Sequence, residues 1–264
     1  MTDEDRLDWE RVENLASRVL QQGQPLELSE ETRAILTRGA RLVAIGPSNT
    51  EEALHSILTA TSLLREIRRR IREGSRHLGT ADSASERLRE QGNFAGARKV
   101  LEDALTTEVV PLYREQLEIR LEYLATFEKV FLTGHVEEDF HPWGQIRALA
   151  LRVQRGNRLE LHDELREFLR QTAPSVAISE DEAAESLKTV EGAESLLAKM
   201  LARIEDGKQR IIQALHRMFL CEEAGDIEGA RQQLRDVLAV EVVPQYRHMA
   251  EENLAGLDKP SQAP

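Results

Sequence analysis

The sequence predicts an all-α protein built from two tandem copies of one helical domain, each with two short helices followed by a long antiparallel helical hairpin. The first observation is an internal repeat, in which positions Gly23 to Leu124 pair without a gap with positions 133 residues later. The second is composition, because only 4% of the 264 residues are aromatic and 31% are charged, as in long amphipathic helices. So long a period indicates a duplicated domain rather than a solenoid unit of roughly 20 to 50 residues.

The repeat also predicts the domain boundaries. Trp9 and Trp143 open the two copies, and copy 2 lacks one residue between Val153 and Gly156. We expect a diverged first copy at 1–132, a short hinge at 133–141, a second copy at 142–257 and a disordered tail at 258–264.

Four helices are expected in each copy. In copy 1 the first covers about 7–22 and ends at Gly23, and the second begins at a cap on Ser29 and ends before the Gly46-Pro47 break. In copy 2 the residues that follow this break include Ser179 and Glu182, which form a capping-box signature.

The third helix carries an apolar seam with alternating spacings of three and four over some 40 residues, on the order of 60 Å. Gly74 and Gly207 lie on this seam although glycine costs roughly 1 kcal/mol relative to alanine in a helix, which predicts close approach of another helix. Asn93 or Asp226 then caps the fourth helix. Pro111 and Pro244 are expected inside that fourth helix, where each should kink it.

The charge pattern restricts the classes of partner. A formal net charge of −12 repels phosphate at long range, so nucleic-acid binding is not predicted, and basic partners are favoured electrostatically. The single cysteine, Cys221, excludes an internal disulfide, and the acidic N-terminal residues do not resemble a signal peptide. Because no apolar run approaches about 18 residues, we expect a cytoplasmic protein that does not cross a membrane.

The first candidate partner-binding surface is a Glu-Val-Val-Pro-x-Tyr-Arg motif that occurs once in each copy. A proline kink leaves a helical carbonyl without its donor, which a partner could supply. The alternative is structural: the proline fits the hairpin to the core, the tyrosine packs across it and the arginine pairs with a nearby carboxylate. The candidate residues are Glu108, Tyr113, Arg114, Glu241, Tyr246 and Arg247.

The second candidate is a basic run whose helical spacing gathers five arginines toward one face: Arg65, Arg68, Arg69, Arg72 and Arg76. Guanidinium groups so placed could hold phosphate or an acidic peptide. Copy 2 has Ala198, Leu201, Ala202, Glu205 and Gln209 at the matching positions, so the run is not intrinsic to the fold. A solvated face, or an intramolecular match to the more acidic copy 2, remains the alternative.

Other candidate chemistry is weaker. The hinge gathers metal-capable side chains, namely His135, Glu137, Glu138, Asp139 and His141, but their spacing matches no helical ligand pair. The sequence contains no Gly-rich phosphate loop, HExxH or CxxC motif, so no catalytic residue, cofactor or metal site is predicted. Copy 2 ends its third helix with apolar residues around Met218 and Phe219 that copy 1 lacks, which could serve the core or an adaptable partner contact.

Several copy 2 strings together resemble the DUSAM domain family, a set of myxobacterial domains of unknown function. They are Ala177 to Ala184, Val190 to Ala193, Ala224 to Arg231 and Val240 to Pro244. The likeness covers most of copy 2 and, more weakly, copy 1. It implies a fold but no activity, cofactor or catalytic residue.

These observations predict a non-catalytic tandem helical interaction or regulatory protein with a protein partner. One alternative is an acidic immunity-type or inhibitory partner of a basic protein. Another is an enzyme that uses the Glu/Tyr/Arg set, although no nucleophile accompanies that set. The sequence leaves the identity of the partner and the oligomeric state open.

Overall fold

All regular structure in the described part of the chain, residues 3–257 of a computed structural model, is helical. The twelve α-helices in that range are α1 (Asp3–Ala16), α2 (Glu30–Leu42), α3 (Pro47–Ala53), α4 (Ile57–Glu90), α5 (Phe94–Thr107), α6 (Pro111–Thr133), α7 (Pro142–Gln154), α8 (Asp163–Thr172), α9 (Glu180–Ser186), α10 (Val190–Glu223), α11 (Ile227–Val240) and α12 (Pro244–Leu257). A π-helical turn, Ser17–Gln21, follows α1, and a 3-10 turn, Ala173–Val176, follows α8. The predicted all-α class with tandem copies is confirmed.

The long hairpins form where the sequence predicts them. Helix α4 packs along α5 in copy 1, and α10 packs along α11 in copy 2. At the start of α5 the side chain of Asn93 accepts the amide of Gly96 at 2.9 Å, and at the start of α11 Asp226 accepts that of Gly229 at 2.8 Å. These two caps fix the turn that reverses the chain.

The prediction of four helices per copy, with proline inside the last, is wrong. Each copy has six α-helices within the described range, because a short helix follows the second and because the fourth is divided. Residues 108–110 are not helical, and Pro111 is the first residue of α6 just as Pro244 is the first of α12. Proline fits this position because its fixed φ suits a helix start and its missing N–H would have no helical acceptor there.

The chain divides into two compact units, residues 1–125 and 126–264. The predicted hinge, 133–141, includes the non-helical residues between α6 and α7 and lies within the second unit. The predicted tail, 258–264, lies outside the described residues.

Each unit has its own apolar core, built on the predicted seam. In the first unit Leu64 and Ile67 of α4 are fully buried against Leu36 of α2. In the second, Met200 and Ile204 of α10 are fully buried. None of the described helices is both long and apolar enough to cross a lipid bilayer.

Candidate functional site

The Glu-Val-Val-Pro-x-Tyr-Arg motif forms the same arrangement in both copies, which we call the clasp: Glu108, Tyr113 and Arg114 in copy 1, and Glu241, Tyr246 and Arg247 in copy 2. The carboxylate oxygen Oε1 of Glu108 accepts hydrogen bonds from the amides of Val109 at 2.9 Å and Val110 at 2.7 Å. Glu241 accepts the two following amides at the same distances. Both glutamates are buried, so their carboxylates replace the helical acceptors that these amides lose at the break.

The tyrosine of the clasp crosses the long helix at the seam glycine. Tyr113 donates its hydroxyl to the carbonyl of Ile71 at 2.9 Å, and a Cβ on Gly74 would lie 2.2 Å from its Cδ2 atom. In copy 2, Tyr246 donates to Ile204 at 3.0 Å, and the corresponding distance from Gly207 is 2.4 Å. A close approach was predicted here, but a tyrosine ring rather than another helix makes it.

A tryptophan covers the other edge of each tyrosine. The rings of Trp9 and Tyr113 are 6.0 Å apart in an edge-to-face arrangement, and those of Trp143 and Tyr246 are 5.4 Å apart and tilted. Burial raises the pKa of Tyr113 to about 12, and burial also raises the pKa of Tyr246. Both phenols therefore stay neutral hydrogen-bond donors at physiological pH.

The arginine of the clasp supplies the donor that the broken helix lacks. Arg114 donates from Nη1 to the carbonyls of Leu105 at 2.7 Å and Glu108 at 2.9 Å. Arg247 makes the equivalent bonds to Leu238 and Glu241, both at 2.8 Å. The chain itself thus satisfies the carbonyls that a partner could have bound. The clasp geometry favours the structural alternative: both arginines donate to backbone carbonyls, and Arg247 also pairs with the carboxylate of Glu251 at 3.8 Å.

The basic run of copy 1 lines a groove, which we call the arginine groove. It has a volume of about 560 Å³ and lies between α4 and the π turn, whose Val19 and Leu20 form part of its wall. All five predicted arginines contribute to it: Arg65, Arg68, Arg69, Arg72 and Arg76. The structure therefore brings these candidate residues together on one concave surface.

The groove arginines differ in whether the chain already neutralises them. Arg69 binds Glu66 at 2.8 Å and also contacts Glu73. The hydrogen bond from Arg69, with a second from Arg70, lowers the pKa of Glu66 to about 2. Within residues 3–257 the other four, Arg65, Arg68, Arg72 and Arg76, make no hydrogen bond and no ion pair.

Arg70, in the same run, has a separate structural role. It donates from Nη1 to the carbonyls of Val43 at 2.9 Å and Ala44 at 3.0 Å, just after α2. Arg203 contacts the matching carbonyls of Val176 and Ala177 in copy 2. Since both copies keep this bond, Arg70 belongs to the scaffold and not to the groove.

The π turn beside the groove accounts for the extra residue in copy 1. Gln22 donates its amide to the carbonyl of Ser17 at 3.1 Å, a bond across five residues instead of four. Copy 2, which is one residue shorter here, continues as a regular α-helix to Gln154. A single inserted residue is accommodated by such a turn, and π turns frequently occur at functional sites.

The metal-capable residues of the hinge do not converge. His141 caps α7 by accepting the amide of Trp143 at 3.2 Å, and Glu137 pairs with Lys129 at 2.7 Å. His135 instead stacks on His162, with their ring centroids 4.8 Å apart. Sequence spacing does not point to His162, which lies outside the hinge and 27 residues after His135.

This histidine pair and Glu164 form a group whose possible ligand atoms lie within 4.8 Å of one another. However, His162 already accepts the amide of Leu165 through Nδ1 and so places its proton on Nε2 when neutral. The described geometry therefore does not present both histidines with free lone pairs toward one point.

The apolar end of the third helix in copy 2 is divided between core and surface. Met218 is buried, whereas Phe219 and Leu220 are 57% and 52% exposed. Met218 thus serves the core, whereas Phe219 and Leu220 are the residues that could make a partner contact.

Comparison with known families agrees with the duplication. A family model described as "Protein of unknown function (DUF2379)" matches residues 7–124 and again residues 141–257. The chain belongs to this family. Members of the DUF2379 family have no assigned activity in that description, so the family supports the tandem architecture and not a role. No match was found among curated proteins or among solved structures.

Proposed function

We propose that this DUF2379 protein is a non-catalytic binding protein whose first copy holds an acidic segment of a partner protein in the arginine groove. The observation that carries the proposal is the set of four guanidinium groups that line one groove without a partner among residues 3–257. Positive charges gathered on one helix face repel one another, and this repulsion destabilises the folded chain. A bound anion would relieve it.

The position of the groove within an acidic molecule favours a protein partner. The net charge of −12 disfavours long-range approach of any polyanion, so binding needs several short-range contacts at once. Arginine suits this task because its planar fork binds carboxylates through two hydrogen bonds. Val19 and Leu20 add an apolar wall, which a peptide can contact and a free phosphate cannot.

The remaining parts of the proposal follow from the sequence. The proposal includes a cytoplasmic location, with which the single cysteine is compatible. The resemblance to DUSAM domains would extend the proposal to that family. An enzyme that uses the Glu/Tyr/Arg set is not favoured, because the clasp directs those groups at its own backbone.

A charge-reversal series tests the arginine groove. The probe is a fluorescently labelled octaglutamate peptide, and the variant is Arg72→Glu. The control is Arg87→Glu, an exposed arginine on the same helix that lies outside the groove and changes net charge equally. We expect Arg72→Glu to weaken binding about fivefold, and its effect to shrink as salt is raised.

The same titration shows whether the proposed site or the proposed class of ligand is wrong. Equal effects of Arg72→Glu and Arg87→Glu would show attraction to net charge alone and would reject the groove. Full displacement of the peptide by inorganic phosphate would make the groove a phosphate site and contradict a protein partner.

A further inference from the structure

A cleft in the second unit has no counterpart among the sequence predictions. Its volume is about 1140 Å³, and its aromatic lining is Phe140, Trp143 and Phe168. Five carboxylates surround these rings: Glu137, Glu138, Asp163, Glu164 and Glu167. Aromatic faces beside carboxylates form an environment that favours a cation, and guanidinium groups above all.

Only part of this negative charge is neutralised internally. Glu137 pairs with Lys129 and Glu167 pairs with Arg170, each at 2.7 Å. Glu138, Asp163 and Glu164 make no ion pair with Lys or Arg within residues 3–257. The cleft therefore carries carboxylates for which the described chain supplies no basic side chain.

In copy 1 the corresponding cleft is smaller and contains an arginine of the chain itself. There the cleft beside Trp9 and Pro111 measures only about 460 Å³, and Arg41 lines it. Arg41 binds Asp5 at 3.2 Å, and the neighbouring Arg38 binds the buried Asp8 at 2.9 Å. Copy 1 thus closes this face with two arginines of its own.

Copy 2 lacks both of these arginines. The positions that match Arg38 and Arg41 are Gln171 and Pro174, and Gln171 lines the larger cleft. The tryptophan and the proline that starts the last helix, Trp143 and Pro244, are retained. Four of the five carboxylates also match acidic residues of copy 1, whereas Phe140 and Phe168 stand where copy 1 has Arg6 and Ile35. The site therefore keeps its tryptophan and most of its acidic positions, gains two aromatic rings and lacks the two arginines.

We propose that this cleft binds an arginine-bearing basic segment of a partner protein, with guanidinium groups against the aromatic rings and the unpaired carboxylates. A single ion would not need the aromatic lining. The cleft volume of about 1140 Å³ lies just above the range of about 300 to 1,000 Å³ that is typical of pockets for small organic ligands, so the cleft has room for a peptide segment. This site is independent of the arginine groove and has the opposite charge, so either can fail without the other.

The test follows the tryptophan of the cleft. Trp9 and Trp143 are the two tryptophans of the chain, so in a Trp9→Phe background the fluorescence of Trp143 reports this site alone. Titration with an octa-arginine peptide should change that fluorescence saturably. Binding detected by anisotropy of a labelled peptide without any change at Trp143 would overturn the proposal, because net charge would then explain it.

Two variants separate the cleft from general attraction. Pro174→Arg restores the arginine of copy 1 and should weaken peptide binding at least fivefold. The double variant Glu138→Gln/Asp163→Asn should weaken it about as much while leaving the backbone of the cleft unchanged. The matched control is Glu222→Gln/Glu223→Gln at the end of α10, which removes the same charge away from the cleft.

Two outcomes would contradict the proposed binding of a basic segment. If the control weakens binding as much as the cleft variants, the site is rejected. If spermidine binds at Trp143 as tightly as the peptide, the occupant is a small cation and the commitment to a protein segment is wrong. Circular dichroism verifies that each variant is folded. If Pro174→Arg does not fold, the double variant Glu138→Gln/Asp163→Asn alone tests whether the cleft binds the peptide.

Discussion

Copy 1 and copy 2 share a clasp whose hydrogen bonds agree closely, yet the surfaces around the two clasps differ in where they carry arginine. The tyrosine hydroxyl lies 2.9 Å from its carbonyl in one copy and 3.0 Å in the other. Copy 1 adds arginines on α4 that have no partner among residues 3–257, and Arg41 lines its smaller tryptophan cleft. Copy 2 lacks both features and opens the cleft among carboxylates.

The comparison shows which positions a duplicated domain is free to change. Residues that satisfy buried backbone groups at the helix break stay fixed in both copies, since losing one leaves polar atoms unpaired in the core. Surface charges a turn or two away do not contact the clasp, so they can be reversed at little cost in stability. One scaffold can therefore present two different surfaces, which are the two binding surfaces proposed above.

The largest expected effect is on the clasp glutamates, and it should differ between copies. Glu241 accepts two amides and also binds Arg210 at 2.9 Å, whereas copy 1 has His77 at the position of Arg210. We expect Glu241→Ala to lower the free energy of unfolding by about 4 kcal/mol and Glu108→Ala by about 3 kcal/mol. Urea unfolding followed separately at Trp9 and Trp143 measures both, and equal losses would remove Arg210 as the source of the difference.

The next effect concerns the seam glycines and should be equal in the two copies. A methyl group at Gly74 or Gly207 meets a tyrosine ring that its hydroxyl bond and the neighbouring tryptophan hold in place. We expect Gly74→Ala and Gly207→Ala each to cost about 2 to 3 kcal/mol through overpacking.

The control is Gly79→Ala on the same helix as Gly74, where a Cβ would meet nothing within 4 Å. That variant should gain up to about 1 kcal/mol, because alanine is the better helix former. A neutral result at Gly74 and Gly207 in thermal or urea unfolding would contradict the close contact.

Alkaline pH should weaken the clasp of copy 1 through Tyr113. Its folded-state pKa is about 12, above the unfolded value of 10.0. The phenol's contribution is therefore complete below pH 10 and is lost as the pH rises toward 12. Relative to Tyr113→Phe, the wild-type chain should lose roughly 1 kcal/mol per pH unit in this range. A constant difference between the two proteins from pH 9 to pH 12 would rule out this linkage.

The smallest effect is expected at the prolines. Because Pro244 starts α12 and does not interrupt a helix, Pro244→Ala should leave the fold intact and cost less than about 1 kcal/mol, mainly through the added freedom of the unfolded chain. Pro111→Ala should behave alike. A gain of several kcal/mol would restore the idea of a strained proline inside a continuous helix.

Local signals in the sequence were sufficient for much of this fold. The repeat register, the caps at Asn93 and Asp226 and the close contact at Gly74 all follow from residue type and spacing, and each is present. The helix break at Pro111 was placed wrongly because apolar spacing continues across it. Spacing does not show that the Glu108 carboxylate competes with helical carbonyls for the amides that follow it.

The two proposed binding surfaces also differ in whether the sequence predicts them. The arginine groove was predictable because its arginines belong to one helix and share one periodicity. The acidic cleft was not, because Glu138 and Phe168 come from segments without a common motif and meet only through tertiary packing. What distinguishes that cleft is a difference between the copies, because Pro174 stands where copy 1 has Arg41, and the structure of copy 1 is needed to show that Arg41 lines the matching cleft.

The near identity of the two clasps also has a consequence for how the chain reaches its native state. Tyr113 would fit the slot at Gly207 almost as well as the slot at Gly74. In a chain that starts fully unfolded, each tyrosine can therefore dock at the glycine of the other copy. During synthesis Tyr113 emerges well before Gly207 and can close on Gly74 first, since domains fold in the order in which they leave the ribosome. Refolding of the complete chain from denaturant has no such order, and we expect it to yield a fraction of exchanged, aggregation-prone molecules that synthesis avoids.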